Sequence, residues 1–189
     1  SVLVIGAGHA GIEAALASAR MGVDTVIFTT NLDAVGNMPC NPSIGGSAKG
    51  HLVFEIDALG GEMGYAADRA TLQSRTLNLG KGAAVQSLRA QSDKSAYHRR
   101  MKSVLEKEEN LSILQAEVTE VLVDGNKVVG VQTTFGKICA KAVVLATGVY
   151  LDARIIIGEM TREEGEQVGA ALAKELMKQL DGFNVTYPY

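Results

Sequence analysis

Residues 1–28 read "SVLVIGAGHAGIEAALASARMGVDTVIF", and three patterns follow one another in them without a break. "SVLVIG" is a short apolar run suited to a strand buried on both faces. "IEAALASARMG" is an alanine-rich helix closed by Gly22, and "VDTVIF" is a second strand. Together they predict a βαβ unit whose first turn carries Gly6, Gly8 and Gly11 in the spacing GxGxxG. In that arrangement the first glycine permits the tight turn, the second lets a diphosphate approach the backbone, and the third allows close helix-to-strand contact. The diphosphate is expected on the N-terminus of the helix beginning near Ala10, where unpaired N–H groups and the helix dipole favour an anion. Ala7 and His9 complete the expected loop, with His9 either bonding a cofactor oxygen or filling space at the helix start.

An acid that would hold a ribose is expected near the end of the second strand, yet "FTTN" at 28–31 has none. Either Thr30 or Asn31 takes that role, or Asp33 reaches in. Further on, "LSILQ" predicts another strand. "VTEVLVD", "KVVGVQTTFG" and "KICAKAVVLATG" follow, with "DGN" at 124–126 as a hairpin signal. The expected fold is therefore α/β: a Rossmann-like, glutathione-reductase-like FAD-binding domain, its parallel sheet interrupted by an antiparallel β-meander. FAD rather than NAD is favoured by that topology, in which an "ATG" turn brings the backbone of Thr147 and Gly148 near the cofactor.

Between residues 31 and 64 the chain is rich in Gly, Pro, Asn and Ser, which predicts a functional loop followed by a short helix at "HLVFEIDAL". Within it, Pro39 and Pro42 stiffen the backbone around Cys40. Gly45, Gly46 and Gly50 leave amides exposed, and Lys49 adds a positive charge. A thiol in such surroundings gains thiolate character; the other reading is an inert cysteine in a rigid turn. The second cysteine, Cys139, falls in a strand and is expected to pack. Two distant cysteines without a CxxC spacing suggest neither a disulfide framework nor a zinc cluster, so no metal site is expected.

The net charge of −3 hides an asymmetry: residues 69–102 hold eight Lys or Arg and a single acid, Asp93. Such a stretch is either a solvated face or a surface that meets an anion. It includes a predicted helix, "SDKSAYHRRMKSVLEKEE", with Ser92 as its expected cap. The longest apolar runs fall far short of the roughly 20 residues that span a bilayer, and no charged leader precedes an apolar segment. A cytoplasmic protein with no membrane contact is expected.

Five segments, "GAGHAGIEAALASARMG", "MPCNPSIGGSAKGHLVFEIDALGGEMG", "LNLGKGAAV", "LRAQSDKSAY" and "VVLATGVYLDARIIIGE", together resemble the N-terminal FAD-binding part of the MnmG (GidA) family of tRNA uridine 5-carboxymethylaminomethyl modification enzymes. The likeness covers about residues 1–159. It implies a flavoenzyme that works with the GTPase MnmE on carbon 5 of the wobble uridine, using FAD, NADH and methylene-tetrahydrofolate, and that forms a homodimer. It also implies that Cys40 is the catalytic nucleophile and that Val118 meets the cofactor through its backbone. Lys49, Arg75, Lys81, Arg89, Arg99 and Arg100 become candidates for contact with tRNA phosphates or, for the basic run, flavin phosphates. A non-catalytic flavin-binding or interaction module, and a flavin-dependent oxidoreductase with a small-molecule substrate, are the alternatives. Residues 160–189 read as a separate helical tail, with Thr161 and Glu164 as a capping box and Val168, Ala171, Leu172, Leu176 and Leu180 in helical period.

Overall fold

The computed structural model describes residues 1–39, 41–149, 154–157 and 160–163. In chain order its strands are β1 (Val2–Ile5), β2 (Thr25–Thr29), β3 (Ser43–Gly45), β4 (Thr71–Leu77), β5 (Ser87–Ser92), β6 (Leu111–Gln115), β7 (Val118–Asp124), β8 (Lys127–Thr133), β9 (Gly136–Cys139), β10 (Ala142–Leu145), β11 (Arg154–Ile157) and β12 (Met160–Glu163). The helices are α1 (His9–Arg20), α2 (Lys49–Ala58), α3 (Met63–Ala70) and α4 (Lys94–Lys107).

The central sheet is parallel, in the order β10-β1-β2-β6, with Val4 opposite Ile27 on one side and Val144 on the other. Alternation along β1 sends its side chains into two different cores. Val4 joins Ile12 and Leu16 of α1 and Tyr97, Met101 and Leu105 of α4. Leu3 and Ile5 join Phe28, Val118, Val121 and Val131 beneath the meander. Helices thus cover one face of the sheet and the β7-β8-β9 meander covers the other. A strand with no solvated face must be apolar throughout, which is why "VLVI" shows no polar alternation.

A second, antiparallel sheet in the order β3-β5-β4 occupies much of the stretch whose composition reads as loop. β3 has three residues and β4 reads "TLQSRTL", so neither carries the apolar run that marks a strand in sequence. The helix expected at "HLVFEIDAL" is present as α2, but it buries Gly50 and leaves Leu52, Phe54 and Leu59 exposed.

Three local expectations are corrected. The cap of α4 is Asp93, whose side chain accepts from the Ala96 N–H at 2.9 Å, and not Ser92. Ser92 is the last residue of β5, where its own N–H donates to the Pro42 carbonyl. Cys139 ends β9 as an exposed free thiol instead of packing. Thr161 pairs with Ile156 in a β11-β12 ladder, so the backbone there is extended rather than poised for a helix; the remaining tail positions, 164–189, lie outside the described residues.

The outer helices are fixed by carboxylates. Glu13 of α1 accepts hydrogen bonds from the Glu62 and Met63 N–H groups at the start of α3. Glu62 itself is buried and receives Arg20 at 3.0 Å and Arg100 at 2.8 Å, tying α1, α3 and α4 together. Removing that acceptor leaves Arg100 without a counter-charge and Arg20 with Glu108 alone, at 3.2 Å. Glu62→Ala is expected to lower the unfolding free energy by about 1–3 kcal/mol in urea titration, whereas Arg99→Ala on the exposed face of α4 should shift it by less than about 0.5 kcal/mol.

Candidate functional site

The β1-to-α1 crossover forms the floor of the site. The Gly6 N–H donates to the Phe28 carbonyl, and the Ala146 N–H donates to the Ile5 carbonyl, so the turn is held between β2 and the end of β10. A Cβ on Gly6 would stand 2.3 Å from the Ala146 carbonyl oxygen, and one on Gly11 would stand 1.8 Å from the Gly6 oxygen. These two positions exclude any side chain. Gly8 differs: a Cβ there would meet nothing within 4 Å, and the residue faces solvent.

Gly8 is also the N-cap of α1, and no side chain caps it; the first turn holds no acid. The first helical hydrogen bond comes from the Ile12 N–H to the Gly8 carbonyl. The helix therefore presents N–H groups and its positive end at an open surface, the arrangement that receives an anion. Ala7 is buried and its carbonyl accepts from the Gly36 N–H, which pins the loop after β2 onto the crossover; Ala10 is exposed on the first turn. Thr147 and Gly148 follow directly from the Ala146 contact, beside Gly6.

At the end of β2 the candidates divide. The Asn31 side-chain oxygen accepts from the Asp33 N–H at 2.8 Å, which commits it to capping the following turn and leaves only its amide nitrogen open. Asp33 is exposed, with Lys102 at 3.8 Å, and Thr30 is exposed. Val118 is buried at the start of β7, two residues after Ala116, whose N–H donates to the Thr29 carbonyl. The Val118 backbone therefore sits beside the same strand end.

His9 is half-buried, and burial, with a smaller contribution from the charge of Lys49, lowers its pKa to about 4. It is neutral at pH 7. Lys49 donates to the Ser43 carbonyl at 3.3 Å, and burial lowers its pKa as well. The charge of Lys49, from the stretch after Cys40, is felt at His9, where it disfavours the protonated imidazole. Lys49 itself is half-buried, unlike the exposed Lys81 and Arg99. Cys40 itself lies outside the described residues.

Tyr97 and His98, at the start of α4, were not singled out in the sequence. The Tyr97 hydroxyl lies 3.4 Å from His9 Nδ1, with the rings edge to face. Burial, then the nearby Glu13 and Glu62 carboxylates, raises the Tyr97 pKa, so the phenol keeps its proton. When it donates to Nδ1, His9 carries its own proton on Nε2. His98 Nδ1 lies 2.6 Å from the Val35 carbonyl and holds the loop that touches Ala7. The period of Tyr97, Met101 and Leu105 reads as core, which hides the polar end of Tyr97 in the sequence.

The basic candidates separate too. Arg100 is engaged with Glu62 and stacks 4.4 Å over the Tyr65 ring, so it is not an open phosphate donor. Lys81 and Arg99 are exposed, on the β4-β5 connection and on α4. Arg75 and Arg89 face each other across the β4-β5 ladder. A broad depression of about 960 Å³, lined by Ser1, Lys127, Cys139 and Lys141 among others, lies at the opposite, N-terminal edge of β1 and β10 and has no part in this cluster.

A parallel sheet with an uncapped helix behind its first strand is the Rossmann-like α/β fold. The pattern of the family described as Glucose inhibited division protein A matches residues 1–188, and the chain belongs to that family. It is 59% identical over 180 residues to the tRNA uridine 5-carboxymethylaminomethyl modification enzyme MnmG of Caldicellulosiruptor saccharolyticus, covering 95% of this chain and 29% of that protein. The structure of Aquifex aeolicus GidA superposes with a TM-score of 0.86 at 50% identity, over 94% of this chain and 30% of the other. The GidA-related protein of Thermus thermophilus matches with a TM-score of 0.61 at 27% identity, over 94% and 67%. The chain thus spans less than a third of the length of its curated relatives.

The neutral His9 makes stability depend on pH in a definite direction. Its folded pKa is lowered, so between pH 6.5 and about 4 the unfolded chain binds more protons and stability falls as the solution is acidified. The His9 share of that loss is on the order of 1–3 kcal/mol, screening included. Chemical denaturation at stepped pH is expected to show a shallower acid slope for His9→Gln than for the unaltered chain; equal slopes would place the histidine in solvent.

Proposed function

We propose that this chain holds FAD at the β1-to-α1 crossover and is the flavin-binding part of a tRNA-modifying enzyme of the MnmG type. The observation that carries the reading is the open, uncapped start of α1 at Gly8, set between two glycines that admit no side chain. The diphosphate rests on the N–H groups at residues 8–11. Thr30, the amide of Asn31 or Asp33 serves the ribose at the end of β2, and the Val118 backbone lies alongside. Thr147 and Gly148 border the flavin side, and His9 offers Nε2–H toward a cofactor oxygen. The domain runs to about residue 159.

Bound flavin supplies redox chemistry at its ring. The chain's own contribution is a nucleophile. Cys40, three residues before β3, adds as thiolate to the pyrimidine ring of a uridine and activates the neighbouring carbon toward an electrophile. A base in a tRNA loop is reached by splaying it out of its stack. By likeness to relatives named for tRNA uridine 5-carboxymethylaminomethyl modification, the whole protein is proposed to act on carbon 5 of a uridine, and we place that uridine at the wobble position. NADH is its reductant, methylene-tetrahydrofolate its carbon source and MnmE its GTPase partner, in a cytoplasmic homodimer. Among the described residues no helix is long and apolar enough to cross a membrane, which agrees with a tRNA substrate.

Gly8→Asp tests the cradle without dismantling the helix, because aspartate is a good N-cap. Thermal stability is expected to hold or rise while FAD affinity, followed by visible absorption after desalting, drops at least about tenfold, as a carboxylate would occupy the diphosphate position. Unchanged affinity would move the cofactor elsewhere. For the nucleophile, iodoacetamide at neutral pH should modify Cys40 faster than the exposed Cys139 when peptides are read by mass spectrometry; a slower Cys40 removes its assignment.

A further inference from the structure

Three strands assemble a polar surface that the sequence scatters over fifty residues. β5 lies between β3 and β4, and their registers give two rungs: Ser43, Gln91 and Gln73 in one, Gly45, Arg89 and Arg75 in the next but one. Residues two apart share a face. The rung between them, Ile44, Ala90 and Ser74, turns the other way, and there Ile44 and Ala90 are buried. The arginine and glutamine rungs therefore look away from that core, onto a face that α2 covers only at its Ser87 end, beside Gly50. Gln73 and Arg75 are exposed, and Gln91 and Arg89 are half-buried.

Two arginines directly opposite each other repel, which weakens a ladder. Elsewhere on this chain the structure answers such charge: Arg20 and Arg100 meet Glu62, and Arg69 bonds the Tyr65 hydroxyl. Among the described residues Arg75 and Arg89 meet no acid. Gly45 beside them adds no side chain to cover the pair. A guanidinium fork matches a phosphate in two hydrogen bonds, and a glutamine amide can both donate to and accept from a base edge. The rungs stand about 7 Å apart along the strands, so one nucleotide can engage both.

We infer that the Arg75–Arg89 rung, with the Gln73–Gln91 rung beside it, clamps a phosphodiester and the adjoining base of single-stranded RNA. The inference rests on the reading of the substrate as tRNA and says which surface holds it. FAD has one diphosphate, and the crossover at Gly8 already provides a cradle for it, so this rung is available to a different phosphate. Its place is also suitable: the chain passes from Cys40 into β3 within three residues, and Ser43 opens the glutamine rung. The nucleotide held here is a neighbour of the uridine under attack, not that uridine itself.

The test is fluorescence anisotropy of a labelled anticodon stem-loop RNA against the 189-residue chain across a salt series. Arg75→Gln/Arg89→Gln is expected to weaken binding at least about tenfold and to reduce the slope of log K against log salt by about 0.7, the share of one single-strand phosphate. Lys127→Gln/Lys141→Gln, the same charge change at the far edge of the fold, should cost less than about threefold. Arg75→Glu should raise the melting temperature relative to Arg75→Gln, because it places opposite charges across the rung, while still weakening RNA binding. FAD affinity should be the same in all. If the arginine double variant binds RNA within about threefold of the parent, the clamp is overturned and the tRNA reading stands. If the parent shows no salt-dependent RNA binding, the tRNA reading falls and the clamp with it. Loss of FAD from the arginine variants would reassign the pair to the flavin and overturn the inference.

Discussion

The structure depends on backbone touching backbone at the crossover. The Gly6 carbonyl occupies the space a Cβ on Gly11 would need, and the Ala146 carbonyl occupies the space of one on Gly6. These contacts draw β1, the start of α1 and the end of β10 into one layer, with hydrogen bonds from the Gly6 N–H to Phe28 and from the Ala146 N–H to Ile5 completing it. Because the turn is this tight, α1 begins at once and its first N–H groups emerge at the carboxyl ends of the strands. In an open parallel sheet that is where a ligand is received. The glycine that has room, Gly8, is the one beside the opening.

From there the order of the site spreads by polar contacts as well as by the core that Tyr97, Met101 and Leu105 share with α1. Glu13 leaves α1 to cap the start of α3, and Glu62 at that start binds Arg20 and Arg100. This fixes α4, whose Tyr97 reaches His9 and whose His98 reaches Val35. His9 is thereby held on one side by a phenol that stays protonated, and its imidazole feels the charge of Lys49 from the stretch following Cys40. A neutral imidazole in such a position can donate a hydrogen bond without adding a charge, which suits the proposed cradle, where the helix start would serve the anion.

The legible parts of the sequence are those where local pattern and tertiary role agree. Residues 1–28 show their strand, turn and helix because the burial of β1 on both faces demands an unbroken apolar run, and the "DGN" hairpin shows itself because Asp124 and Lys127 are joined by a two-residue turn. The β3-β5-β4 sheet is hidden for the opposite reason. One of its faces is made of Gln73, Arg75, Arg89 and Gln91, and its alternation is broken by an irregularity between Thr71 and Gln73. Ser92 is the natural cap by residue type, but it still belongs to β5 and the helix starts only at Lys94, so the N-cap position falls on Asp93. Tyr97 could not be found because its ring lies in the period of the core and only its hydroxyl enters the site.

The basic stretch at residues 69–102 shows why charge counted along a chain is a poor guide to charge on a surface. Its cations are dispersed by the fold into different environments. Arg69 and Arg100 gather at Tyr65, Arg100 being neutralised by Glu62 as well. Lys102 turns toward Asp33. Both engagements couple α4 to what surrounds it and leave little field for a distant anion. Arg75 and Arg89 are different because a strand gives no choice of neighbour: the ladder register sets them face to face, and on a helix a rotamer change could part them. A like-charged rung on a small sheet is a standing cost to folding, and among the described residues no carboxylate pairs with it. Under the clamp proposed above the counter-charge is a bound phosphate, just as under the proposed function a cofactor diphosphate meets the uncapped start of α1.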